Sequence, residues 1–129
     1  MSQTVQEMVA DAKGRITNLS PDEVARELEG GAVTLVDVRE PAELDREGAL
    51  PGAVRAPRGM LEFYADPASP YHLAELAPAR RTIVYCASGG RSALAVQTLQ
   101  RLGYADVAHL DGGVTVWKEQ GRPVTHHAG

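Results

Sequence analysis

One cysteine, Cys86, stands among 129 residues. No internal disulfide can form, so the fold does not depend on oxidation, and a reducing cytoplasm is the expected home. Aromatic residues are scarce at 5%, so Val, Leu and Ala have to build most of the core. No apolar run reaches membrane-spanning length, and no membrane partner is expected. Met1 to Glu7 show no basic stretch followed by an apolar one, so no secretion signal is expected. There is no excess of positive charge: the formal net charge is −4, which argues against a nucleic-acid partner. Internal repeats, low-complexity segments and a linker long enough to divide the chain are all missing.

What is present suits one domain. Hydrophobic residues at 43% and charged residues at 23% give a globular balance with enough apolar mass for a core. Thr4 followed by Glu7 reads as a capping box, and Val5, Met8, Val9 and Ala12 recur at helical spacing up to Gly14. Arg15-Ile16-Thr17 suits a brief strand. Ser20-Pro21-Asp22-Glu23 puts Ser at an N-cap, Pro at the first helical position and Glu at the third, and Gly30-Gly31 ends that helix. Ala32 to Val38 is nearly continuously apolar, as a strand covered on both faces should be. Pro41, Pro51, Pro57, Pro67 and Pro70 punctuate an irregular stretch, leaving room for helical turns near Glu40–Asp45 and Met60–Tyr64.

Thr82 to Tyr85 reads as a second buried strand. A helix follows from Ser92 to Leu102, with Leu94, Ala95, Thr98, Leu99 and Leu102 on one face. Asp106 to Leu110 is a further strand, and Val114 to Gln120 a last helix carrying Trp117, a core residue. Strands alternating with helices indicate an α/β domain with a mostly parallel sheet.

The chemistry concentrates at Cys86-Ala87-Ser88-Gly89-Gly90-Arg91, between a buried strand and a helix. In open α/β sheets, ligands bind beyond the carboxyl ends of the strands. A helix N-terminus there offers unpaired N–H groups and the positive end of its dipole. Gly89 and Gly90 let successive N–H groups turn inward to form an anion nest. A thiol at its centre ionises more readily than a free cysteine, which titrates near ~8.5. Free cysteines often serve as small core hydrophobes, but a core-filling residue needs no flexible anion-binding loop beside it. Cys86 is therefore expected to be a nucleophile, with residues 87 to 91 cradling thiolate and substrate. Arg91 either adds charge to the pocket or turns away to pair with an acid of the scaffold.

Asp37, in an apolar strand, needs partners, and is expected to accept hydrogen bonds near this loop. Arg39 is expected to pair with Glu40 or Glu43. Both are read as structural support. His72 and His109 have no ligand-spaced partners, and His126-His127 fall in an expected loose tail, so no metal site is expected.

These residues resemble the rhodanese family of sulfurtransferases. Leu35-Val36-Asp37-Val38-Arg39-Glu40, Leu50-Pro51-Gly52-Ala53-Val54 with Ala56-Pro57, Thr82 to Cys86, the loop itself, and Leu110-Asp111-Gly112-Gly113 with Trp117, Gly121 and Pro123 follow the family's order. Ala49 stands where many members have His, and Ala87 and Ser88 where some place a cation. The resemblance divides the chain into an N-terminal helix over 1–15, a rhodanese-like domain over 16–124 and a tail over 125–129. It implies a five-stranded, mostly parallel sheet flanked by helices on both faces. It also implies a thiosulfate sulfurtransferase that passes sulfane sulfur through a Cys86 persulfide to a thiol or cyanide, without a cofactor, as a monomer or weak dimer.

In similar proteins the segment begun by Arg58 lies beside the pocket, so Arg58 is either an attractor for an anionic donor or a solvated surface residue. Met60, Leu61, Phe63 and Tyr64 either rim the pocket or pack. A persulfide carrier or redox-sensing module is the alternative reading. Phosphatases and arsenate reductases of related fold carry one more residue between Cys and Arg than the four found here, which disfavours that chemistry.

Overall fold

The computed structural model describes residues 2–126. Helix α1 (Val5–Lys13) and strand β1 (Thr17–Leu19) are followed by α2 (Pro21–Gly30), β2 (Thr34–Asp37), α3 (Pro41–Glu47) and β3 (Val54–Arg55). A 3₁₀ turn (Arg58–Met60) leads into α4 (Leu61–Ala65), then β4 (Thr82–Tyr85), α5 (Gly90–Arg101), β5 (Val107–Leu110) and α6 (Gly113–Glu119). The five strands form one sheet in the order β1-β5-β4-β2-β3, and all its pairs are parallel.

Alternation along the strands separates two cores. Val36, Val84 and Val107 face Leu61, Ala95, Val96 and Leu99, and so pack under α4 and α5. Leu35, Ile83, Tyr85, Ala108 and Leu110 face Val24, Val114 and Trp117, under α2 and α6. The central strand, β4, is buried along its whole length, and Cys86 ends it. The sheet therefore carries helices on both faces, with the candidate nucleophile at the carboxyl end of its middle strand.

The capping boxes form as the sequence dictates, Thr4 with Glu7 and Ser20 with Glu23. Several boundaries differ. The first strand lies at Thr17–Leu19, where Leu19 can enter the core, and not at Arg15–Thr17. Helix α5 starts at Gly90 and α6 at Gly113, each earlier than apolar spacing suggested, because glycines carry no periodicity signal. Strand β3, two residues long, is too short to show a pattern.

Thr125 is not loose: it bridges Ala49 through two backbone hydrogen bonds, at 2.9 and 2.7 Å. His127 lies outside the described residues. Leu61 is fully buried and packs in the core, while Phe63 is exposed and meets Tyr71 edge to face. No described helix is long and apolar enough to cross a membrane.

Candidate active site

Cys86 is 1% exposed and sits against the start of α5. Gly89 caps that helix with φ at +108°, a conformation glycine adopts without strain, and it offers no capping side chain. Sulfur takes the vacant role. Gly89 N–H donates to Cys86 Sγ at 3.1 Å and Ser92 N–H at 3.4 Å. Ser92 is the third residue of the helix, whose N–H an N-cap oxygen ordinarily accepts. Of these two N–H groups, that of Gly89 lies within the expected span of residues 87 to 91, and that of Ser92 lies one residue beyond it.

The loop is pinned from beneath by α6. Val114 N–H donates to Cys86 O at 3.0 Å and Thr115 N–H to Ala87 O at 3.1 Å. This approach requires glycine at 113, where a Cβ would overlap Ala87 O and stand 2.5 Å from Cys86 O. Ser88 is exposed at the tip of the loop. A cleft of about 300 Å³ opens beside Ala87, between Glu43 and Arg46 on one side and Thr115 and Lys118 on the other.

Arg91 turns to the scaffold. Its Nη1 and Nη2 donate to the two oxygens of Glu43 on α3, at 2.7 and 2.8 Å. Hydrogen bonding to Arg91 leads the effects that pull the Glu43 carboxyl down to about 2. Arg39 therefore does not pair with Glu40 or Glu43. It folds back on Asp37, donating from its backbone N–H at 2.9 Å and from Nη2 at 2.7 Å, and reaches Gly48 O at 2.8 Å. Arg39 is sealed in, where Asp37, two residues before it, is the carboxylate that compensates its charge. Its Nη1 has no hydrogen-bond partner among the described residues, but the guanidinium lies over the Tyr85 ring, 5.4 Å from the centroid. Asp37 and Arg39 fix the β2–α3 junction, and α3 then presents Glu43 to Arg91.

Arg58 lies away from the sulfur. It bonds Glu62 at 3.0 Å and Thr98, two turns along α5, at 3.1 Å. Among the described residues no cluster of His, Cys, Asp and Glu could hold a metal ion.

Sequence reasoning missed a side-chain chain behind the sulfur. The Cys86 thiol points toward Ser92 Oγ at 3.5 Å. Ser92 Oγ lies 2.8 Å from His109 Nδ1, and His109 Nε2 lies 2.7 Å from Asn18 Oδ1. Ser92 and His109 are both fully buried. Burial pushes the His109 imidazole down to about 4, against the opposing influence of Asp111. The available signal was a histidine between Ala108 and Leu110 in an apolar strand, since a buried imidazole demands partners.

The sheet order and the cysteine loop define a parallel α/β domain with a buried thiol at a helix N-terminus. Residues 20–120 match the family model of the rhodanese-like domain, and the chain belongs to that family. A sulfurtransferase of Allochromatium vinosum is 35% identical over 92 residues, which cover 71% of this chain and 78% of that protein. A Rhodopseudomonas palustris protein of unknown function, described as a possible tyrosine phosphatase, superimposes with a TM-score of 0.90 at 37% identity, covering 97% of this chain and 96% of its own. The polysulfide-sulfur transferase homodimer of Wolinella succinogenes gives a TM-score of 0.76 at 30% identity, covering 95% and 88%.

Proposed function

We propose that this chain is a sulfurtransferase that carries sulfane sulfur on Cys86, with a thiosulfate-type anion as donor. The Cys86 thiolate attacks the outer sulfur of the donor. The donor's S–S bond breaks, sulfite leaves with that bond's electron pair, and a Cys86 persulfide remains. An acceptor thiolate or cyanide then takes the outer sulfur and returns Cys86 as thiolate, a ping-pong cycle. The observation that carries this reading is sulfur as the cap of α5: the N–H groups of Gly89 and Ser92 that meet the thiolate stand ready for the anionic sulfur of each stage. Ala87, Ser88, Gly89, Gly90 and Arg91 form the substrate cradle in this proposal. Arg58, held by Glu62 and Thr98, has at most a distant electrostatic part.

The likeness to a possible tyrosine phosphatase favours a second reading, phosphoester hydrolysis. That chemistry calls for a guanidinium fork free to grip a tetrahedral oxyanion. Both terminal nitrogens of Arg91 are already held by Glu43, and the loop is one residue shorter than in such enzymes, so sulfur transfer is the better supported.

Intact mass after incubation with thiosulfate separates the readings. The native chain is expected to gain one sulfur atom, and Cys86→Ser none. Thiocyanate formed from cyanide marks turnover, and loading without thiocyanate or thiol turnover marks a carrier. A native chain that stays unloaded but releases phosphate from an aryl phosphate overturns the proposal.

A further inference from the structure

The chain of groups behind Cys86 has an order of donors that its geometry fixes. Asn18 Nδ2 donates to Lys13 O at 2.9 Å and Ile16 O at 3.3 Å. Two carbonyls on that nitrogen leave Oδ1 as the atom that faces His109, so His109 Nε2 must carry a hydrogen. In a neutral imidazole the other nitrogen, Nδ1, is then an acceptor. The Ser92 hydroxyl supplies its proton there, at 2.8 Å, in preference to Gly89 O at 3.3 Å. With its one proton directed at His109, Ser92 Oγ turns lone pairs toward the Cys86 thiol.

We infer that His109 is the proton acceptor for Cys86, working through the Ser92 hydroxyl and positioned by Asn18. The inference rests on Cys86 as the nucleophile of the proposed function and adds the means of its activation. The Cys86 S–H bond breaks as its proton passes to Ser92 Oγ. The Ser92 O–H bond breaks as its proton passes to His109 Nδ1. Sulfur keeps the electron pair as thiolate, imidazole becomes imidazolium, and Ser92 ends with its new proton aimed at the sulfur. Every donor in the chain then has an acceptor in both states. A thiolate beside a neutral His109 leaves one acceptor short, because the single Ser92 hydroxyl proton cannot serve sulfur and Nδ1 together.

The surroundings suit the role. A base must start neutral, and burial keeps His109 neutral while sulfur is a thiol. The same burial opposes an isolated imidazolium, so His109 takes the proton only with the thiolate forming beside it. Thiolate and imidazolium appear together, one hydroxyl apart, so neither charge is left alone in the interior. The charged groups whose fields also reach His109 are Lys13 at the end of α1 and Asp111 after β5. They pair with each other at 3.0 Å and act on His109 in opposite directions, Asp111 favouring the imidazolium and Lys13 opposing it. His109 touches no substrate atom and is a positioning residue in this scheme.

The test is the pH dependence of Cys86 alkylation by iodoacetamide in the full chain, a reaction that needs no sulfur donor. Its outcome therefore stands whether or not thiosulfate loads Cys86. His109→Gln keeps an acceptor for Ser92 but cannot take a proton. It is expected to move half-maximal alkylation about one pH unit upward, a tenfold slowing in the limb below it. Asn18→Asp places a carboxylate on Nε2–H at an exposed position, stabilises the imidazolium, and is expected to move the profile downward. Adding Ser92→Ala should make Asn18→Asp silent. An unmoved profile in His109→Gln overturns the inference. So does slower alkylation in Asn18→Asp, the result expected from loosened packing alone. Should His109→Gln fail to fold, the direction of the Asn18→Asp shift decides.

Discussion

Helix α2 carries its own cap, whereas α5 takes its cap from the strand that precedes it. At α2, Ser20 Oγ accepts from Glu23 N–H at 3.2 Å, and Glu23 returns a bond to Ser20 N–H at 2.9 Å. Asp22 and Glu23 put negative charge in its first turn, which offsets the positive end of the dipole. At α5 the equivalent N–H, that of Ser92, goes to a sulfur six residues back, and the first turn holds no acid. One start is closed within four residues of sequence. The other is left open for an anion, and that opening is the candidate site. A helix N-terminus becomes chemistry where the local cap is withheld and a nucleophile occupies its place.

The sharpest way to break this contrast is to disturb the residue that withholds the cap. Gly89→Ala forces an L side chain to φ +108°, with its Cβ 3.3 Å from Gly112 N. We expect a loss of about 1–3 kcal/mol in urea unfolding, the usual cost of a strained backbone conformation. Cys86 alkylation and persulfide loading should fall together, about tenfold for each 1.4 kcal/mol by which the misdirected Gly89 N–H weakens the thiolate. Unchanged reactivity in a destabilised protein would show that the Gly89 N–H does not serve the sulfur.

The converse change tests the closed start. Ser20→Ala removes one cap bond and should cost about 1 kcal/mol of stability. Alkylation of Cys86 should stay as in the native chain, because α2 lies on the opposite face of the sheet from the core that includes Cys86. A slowed alkylation would mean that the two helix starts are coupled across the sheet.

The same contrast explains what was legible in the sequence. The α2 start could be read because each partner lies within three residues of the other, and the strands β2 and β4 because both their faces are apolar. The loop around Cys86 is legible as a string of residues, but local sequence leaves Arg91 open between pocket and scaffold. Its actual partner, Glu43, is 48 positions away, and no local pattern encodes that distance. Arg39 departs from its expected pairing for a related reason: Glu40 and Glu43 are near in sequence, but burial selects Asp37, the carboxylate that can be sealed in with it. Ser92, His109 and Asn18 come from α5, β5 and β1, and only the β1-β5-β4 strand order brings them into line.

The smallest expected effect concerns how α5 tolerates a cation at its positive end. Arg91 is the second residue of the helix, where a positive charge opposes the dipole, and Glu43 reaches across from α3 to neutralise it. Arg91 holds the Glu43 carboxyl at about 2, below its ordinary value of 4.5. A carboxylate whose folded value is depressed stabilises the fold fully above its unfolded value, and that contribution disappears as pH falls from about 4.5 toward 2. The Arg91 side chain is 39% exposed and that of Glu43 21%, so screening limits the effect to roughly 1 kcal/mol or less. Glu43→Gln should therefore lower the urea midpoint slightly at pH 6, and the gap from the native chain should shrink steeply by pH 2, where about half of Glu43 is protonated. A gap as large at pH 2 as at pH 6 would mean that Glu43 acts through packing or its bond from Glu40 N–H, and that α5 bears the charge of Arg91 without help.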